Sequence, residues 1–202
     1  MKNVQAVSNL KLRLGWGKTG QQDIKTASGT DYPSQAQYIL SAIGSYYIID
    51  GQYIPTLRPN TYDPDIKWEE TTTTNVGVDF GFINDRITGS VDLYKRVTND
   101  LLNTVTIPTG SNFSNTLTTN VGSLENKGIE VALNVVPISK KDMSLTIGAN
   151  LTYNHNEITK LLFTDNPNYI GVLYGDGMTG TKQVTRVGHP AYSFFVNKQV
   201  YG

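Results

Sequence analysis

The sequence predicts an all-β protein, an antiparallel up-and-down meander of about six strands forming the wall of a transmembrane β-barrel. Three observations predict it. Segments such as Asn75-Val76-Gly77-Val78-Asp79-Phe80-Gly81-Phe82 alternate apolar and polar residues, which gives each strand one apolar and one polar face. The connections between such segments run long, short, long, short, long. Membrane hairpins sort their loops in this way, with short turns on one side and long loops on the other. The polar faces carry Gly, Asn, Thr and isolated charges. A water-facing sheet would carry more Lys and Glu, whereas a crowded, hydrated lumen accepts these residues.

The elements follow in order. The first strand is expected over 9–19, with Leu10, Leu12, Leu14 and Trp16 on one face and Lys11, Arg13, Gly15 and Gly17 on the other. A long segment of Tyr, Pro, Gly and Asp follows, to about Glu70. It has room for a short helix over 34–42 and a brief strand at Tyr46-Tyr47-Ile48-Ile49. The second strand (71–82) and third (86–101) flank the turn Ile83-Asn84-Asp85-Arg86. The fourth (120–136) and fifth (143–157) flank the turn from Pro137 to Asp142. A sixth strand starts near Ala191. Val76, Val78, Phe80 and Phe82 share one parity, as do Leu145, Ile147, Ala149, Leu151 and Tyr153. That face suits lipid, where a charge at the bilayer midplane costs about 2–4 kcal/mol. Lys95 has the same parity, but near a loop end it can snorkel to the interface. Trp16, Phe82, Tyr153 and Phe194 are placed to form aromatic girdles. Arg13, Asp79, Asp92 and Glu130 fall on the opposite, lumen-facing parity.

Composition narrows the function. Only 17% of the 202 residues are charged and the formal net charge is zero, so the electrostatic footprint of a nucleic-acid binder is missing. There is no cysteine, which removes disulfides and thiolate metal sites. No apolar run is long enough for a membrane helix.

Motifs that look chemical are weak. Gly15-Trp16-Gly17-Lys18-Thr19-Gly20 matches G-x-G-x-x-G, but that fingerprint needs a helix directly after it to receive a pyrophosphate. Gln21 to Asp31 has no amphipathic helical period. His155 and His189 sit near turn residues without metal-ligand spacing and read as exposed loop-end residues. Asp63-Pro64-Asp65 and Asp165-Asn166-Pro167-Asn168 are acidic turn clusters without the ligand spacing of a calcium loop. No acid–base pair or activated nucleophile can be nominated, so an enzyme is not expected, nor a metal or cofactor. Loop tyrosines are the best contact candidates, because their rings can stack on sugars or pack on a partner protein. Tyr46, Tyr47, Tyr53, Tyr169 and Tyr174 lead that set. Packing within the loops is the plainer account of any single one.

Several segments resemble a known family. Leu10-Lys11-Leu12-Arg13 with Gly15-Trp16-Gly17-Lys18-Thr19-Gly20-Gln21 is similar to the LKLR…TGNQ signature of SusC-like TonB-dependent transporters. Asp63-Pro64-Asp65-Ile66-Lys67-Trp68-Glu69-Glu70-Thr71-Thr72 resembles their NPDLKWETT segment, with Asp63 in place of Asn. Asn84-Asp85-Arg86-Ile87-Thr88-Gly89-Ser90-Val91-Asp92 resembles the second half of a family hairpin. Asn126-Lys127-Gly128-Ile129-Glu130 and Val187-Gly188-His189-Pro190 continue in the family's order. The resemblance implies a large barrel of about twenty-two strands with an N-terminal plug, in the bacterial outer membrane. It implies import of glycans, oligosaccharides or peptides with a surface-exposed SusD-like lipoprotein, driven by TonB. Residues 1–202 would be one segment of that barrel wall, with the plug and terminal strands outside it. The rival readings are a soluble carbohydrate-binding β-sandwich and a surface adhesin domain.

Overall fold

The structure is a computed structural model that describes residues 6–24, 32–40, 46–108, 110–111, 115–161, 168–175 and 182–196. Its strands are β1 (Val7–Gln21), β2 (Tyr38–Leu40), β3 (Tyr46–Ile49), β4 (Gln52–Pro55), β5 (Leu57–Pro59), β6 (Glu69–Phe82), β7 (Ile87–Thr106), β8 (Thr116–Lys140), β9 (Met143–Lys160), β10 (Val172–Tyr174), β11 (Lys182–Thr185) and β12 (Ser193–Phe195). The five long strands form one antiparallel sheet in the order β1-β6-β7-β8-β9. Three small sheets, β2-β5, β3-β4 and β10-β11-β12, are built from the connecting segments.

Register turns the sequence pattern into two faces. Leu12, Val78, Val91, Val131 and Leu151 are successive cross-strand partners, a single rung across all five strands. The next rung of the same parity is Leu14, Val76, Leu93, Ile129 and Tyr153, and the one on the other side is Leu10, Phe80, Gly89, Leu133 and Ala149. Phe82, Ile87, Val135 and Ile147 complete the band at the turn end. Among the described residues nothing covers this band. Leu12 is 63% exposed and Leu151 69%. The hydrophobic residues that are buried, Val105, Val121, Ile158, Leu161 and Val184, all lie towards the loop end. A compact monomer of 22.2 kDa exposes about 9,400 Å², whereas this chain exposes 15106 Å². A β-sandwich would bury one face of the sheet against a second sheet, and here the apolar face is bare.

The turns explain the hairpins. Ile83, Asn84 and Asp85 all adopt positive φ (54°, 53° and 62°), which reverses the chain tightly between β6 and β7. The Asp85 amide donates to Ser8 Oγ at 3.0 Å, holding the turn to the start of β1. In the small hairpin, Asp50 and Gly51 (φ 51° and 74°) supply the left-handed pair favoured between β3 and β4. Both short turns of the large sheet, 83–86 and 141–142, lie at one end. The segments joining β1 to β6 and β7 to β8, and the one following β9, leave from the other.

The structure departs from the sequence reading in four places. The wall strands outrun their expected bounds, most of all β7 and β8, which reach Thr106 and begin at Thr116. Beyond the apolar band the register of β7 shifts at Thr98/Leu101 and Leu101/Leu102, and its apolar residues Val97, Leu101, Leu102 and Val105 fall on both parities, so a period of two is lost there. The helix expected over 34–42 is absent among the described residues, where Tyr38–Leu40 pairs with Leu57–Pro59 instead. The sixth strand begins as β12, but pairs with β11 and not with β9. Phe194 therefore belongs to the small sheet rather than to a girdle on the wall. Residues 197–202 of that expected strand lie outside the described residues. His155, expected at a loop end, lies within β9 opposite Lys127.

Candidate functional site

On the polar face, β1, β6 and β7 bring three charges together. Arg13, Gly77, Asp92 and Glu130 occupy one rung, and Asp79 lies on the next polar rung of β6. Arg13 Nε donates to Asp79 Oδ2 at 3.0 Å, and Nη2 donates to Asp79 Oδ1 at 2.8 Å and to Asp92 Oδ2 at 2.9 Å. This forked arrangement suits a planar guanidinium and no other cation. Gly77 makes it possible. A Cβ there would collide with Asp92 Oδ1 and come within 2.9 Å of the Arg13 guanidinium, so the missing side chain opens the path across β6. The group is only partly shielded from solvent, with side-chain exposures of 36% for Arg13, 31% for Asp79 and 24% for Asp92. Glu130 shares the rung but is exposed and makes no ion pair among the described residues. Two residues beyond Asp92 on β7, Tyr94 lies over Gly128 and donates its hydroxyl to Asn154 Oδ1 at 3.0 Å, tying β7 to β9 across the gap.

At the loop end, side chains clamp the segment before β6 to the sheet. Asn120 Oδ1 accepts from the Lys67 amide at 2.8 Å, and its Nδ2 donates to the carbonyls of Lys67 and Asp100. Asp100 has φ 56° within the β7 bulge, which turns its carbonyl towards Asn120. Glu69 Oε1 accepts from the Leu102 amide at 2.9 Å, and the Thr119 hydroxyl donates to Asp63 Oδ2. Asp63 thus serves a turn and a clamp: its Oδ1 also accepts from the Asp65 amide at 2.9 Å. Residues 165–167 of the second acidic cluster lie outside the described residues. The sequence offered no period by which to find this clamp, because its members are scattered polar residues made neighbours by the meander.

The tyrosines divide into two groups. Tyr46 and Tyr53 meet edge to face across the β3–β4 hairpin, with centroids 5.9 Å apart. Tyr47 is 68% exposed. Tyr174 packs on Tyr192 at 4.9 Å in the sheet that follows β9, and partial burial raises the phenol pKa of both Tyr169 and Tyr174. Tyr192, with φ 57°, was not singled out in the sequence; a single aromatic in a turn carries no pattern. This second sheet is fixed to the wall by reciprocal backbone bonds between Ile158 and the Gly188–His189 turn, and by Asn156 Oδ1 accepting from the Ala191 amide. The G-x-G-x-x-G stretch lies wholly inside β1 and pairs with β6 through Gly20, so it forms strand and not a phosphate-binding turn.

Residues 3–196 match the family model described as TonB dependent receptor-like, β-barrel. The chain belongs to this family. It is 47% identical over its whole length to the TonB-dependent receptor SusC of Bacteroides thetaiotaomicron, of which it spans 20%. It is 34% identical over 88% of its length to the TonB-dependent receptor P39 of Formosa agariphila, spanning 16% of that protein. Among solved structures, the RagAB peptide transporter superposes with a TM-score of 0.66 at 29% identity, covering 94% of this chain and 19% of the transporter chain. The chain thus spans about a fifth of the relatives it matches. Membership makes the bare apolar band intelligible: in a TonB-dependent receptor barrel of the outer membrane, that face meets lipid.

Proposed function

We propose that this chain is one segment, residues 1–202, of the wall of an outer-membrane active transporter. The transporter imports glycans, oligosaccharides or peptides together with a surface-exposed SusD-like lipoprotein, and draws energy from TonB through a plug outside this segment. Its role is transport and not catalysis. The observation that carries the reading is a five-strand sheet with an uncovered apolar face, a polar face of paired charges behind it, and its long connections at one end. The identity to SusC and the superposition on the RagAB peptide transporter support the same class.

In this reading Arg13, Asp79, Asp92 and Glu130 face the lumen. The first three brace neighbouring strands, and Glu130 is the free carboxylate a passing solute meets. Tyr46, Tyr47, Tyr53, Tyr169 and Tyr174 contribute to the surface that meets the lipoprotein or the ligand, since a rigid scaffold with variable loops is where recognition residues are placed. Alanine at each tyrosine in the full transporter tests this through lipoprotein association and uptake. Removing a ring that is well buried in the complex is expected to weaken association by roughly 1–3 kcal/mol. Unchanged association and uptake across all five would return them to loop packing.

A further inference from the structure

Two arginines of the wall lie on its polar face, and their surroundings are opposite. Arg13 is held by Asp79 and Asp92. Arg96 shares its rung with Gly17, Thr73, Asn126 and Asn156, and no carboxylate stands on it. The adjoining rung towards the turn end is Gly15, Asn75, Tyr94, Gly128 and Asn154. The one towards the loop end is Thr19, Thr71, Thr98, Leu124 and Ile158. Neither carries a charge. The acids beyond them are engaged or remote. Glu69, on the loop side, accepts from the Leu102 amide, and Asp92, on the turn side, serves Arg13. Glu130, beside Asp92, stands two same-face rungs from Arg96, roughly 13 Å along the strands. Glu125 and Glu157 lie on the opposite face, where Lys95, Lys127 and His155 engage them. Arg96 itself is exposed and makes no ion pair among the described residues.

An open hollow of about 520 Å³ lies at this guanidinium, with Thr19, Thr71, Thr73 and Thr98 in its wall. Thr71 and Thr98 spend their hydroxyls on each other at 2.8 Å. The Thr73 hydroxyl, on the residue directly across from Arg96, has no partner among the described residues. On the other side of Arg96, Asn126 Oδ1 is buried without a donor. This rung keeps the hydrogen-bonding capacity that the Arg13 group has already used.

We propose that Arg96 is a docking point for the carboxylate of a transported solute, an acidic sugar or a peptide. The inference rests on the barrel-wall reading, which makes this face line the lumen and sets its loop end towards the cell exterior. Charge and shape select the occupant. A guanidinium presents paired N–H donors that match the two oxygens of a carboxylate, and the Thr73 hydroxyl can add a third donor. One cation in a neutral field balances one negative charge. A phosphomonoester, with nearly two charges at neutral pH, would be only half answered. A neutral solute would leave the guanidinium unanswered.

The test uses the full-length transporter purified from outer membranes in mild detergent. Two probe pairs differ only in the carboxylate: tetragalacturonate against its methyl ester, and N-acetyl-tetra-alanine against its C-terminal amide. Isothermal titration calorimetry reads each. The wild-type protein is expected to bind the acid of one pair about tenfold more tightly than its neutral form, the size of one charge-assisted hydrogen bond. The pair that shows the preference names the source of the carboxylate. Arg96→Gln should lose the preference and Arg96→Lys should keep part of it, while Lys140→Gln at the turn end should keep all of it. Absence of an acid preference in both pairs, or an undiminished preference in Arg96→Gln, overturns the proposal. If that absence comes with a lowered unfolding midpoint for Arg96→Gln, the arginine belongs to a carboxylate elsewhere in the transporter. Heat-modifiable gel mobility and substrate uptake by the wild type report the wall and transport reading separately. A barrel that assembles and imports but shows no acid preference sinks the docking point alone.

Discussion

The rung Leu12–Val78–Val91–Val131–Leu151 crosses five strands without a polar side-chain atom, while its neighbour on the opposite face, Arg13–Gly77–Asp92–Glu130–Thr152, puts three charges and a glycine on four adjacent strands. The first needs only to be apolar. Any of its members could be exchanged for another aliphatic residue, because lipid is a fluid partner that fits itself to the side chains. The second depends on particular neighbours: the guanidinium reaches Asp79 and Asp92 only because Gly77 leaves its path open. One face is specified by composition, the other by geometry.

The largest expected effect breaks the composition rule. Val91→Arg sets a charge in the middle rung of the apolar band and should cost about 2–4 kcal/mol of barrel stability. Urea unfolding of the full transporter in lipid vesicles measures it. Val91→Leu in the same assay should cost under about 1.5 kcal/mol. If the two variants unfold alike, the band does not face lipid.

A smaller effect tests the geometry rule. Gly77→Val places a side chain where Asp92 and Arg13 now meet, and overpacking of this kind costs roughly 1–3 kcal/mol. Gly17→Ala is the counterpart, because a Cβ at Gly17 meets nothing within 4 Å, and its unfolding midpoint should stay close to wild type. Equal midpoints for the two variants would mean that the polar face tolerates substitution as freely as the apolar one.

The smallest effect sharpens the comparison within the polar face. Arg13→Gln should destabilise more than Asp79→Asn. Without Arg13, two carboxylates lose their cation, whereas without the Asp79 charge, Arg13 still has Asp92. The gap should narrow at high salt, since the group is partly solvated and open to screening. Measuring both variants at low and high salt decides it, and the reverse order would show that the pairs contribute independently.

The sequence showed the parts of this structure that repeat. The strand pairs around 83–86 and 137–142, the parity of Val78, Val91, Val131 and Leu151, and the placing of Arg13, Asp79 and Asp92 on one parity all follow from a period of two. The upper reaches of β7 and β8 were invisible, because the bulge around Leu101 and Leu102 shifts the register and scatters the apolar residues over both faces, which breaks the alternation. The β2–β5 pairing was missed for a related reason: three-residue strands are too short to show a period, and partners seventeen or more positions apart leave no local signal.

The sequence by itself determined the class of the protein, the order of the five long strands and the parity of residues in their alternating stretches, because alternation and hairpin connectivity are local properties of the chain. Only the tertiary structure decided which residues meet. That Arg13 spans β6 to reach Asp92, that Asn120 clamps Lys67, and that Lys95 and Lys127 share Glu125 at the border of the apolar band all depend on strand register. Register is set by the whole ladder of cross-strand contacts and turns, and no single segment of the chain encodes it.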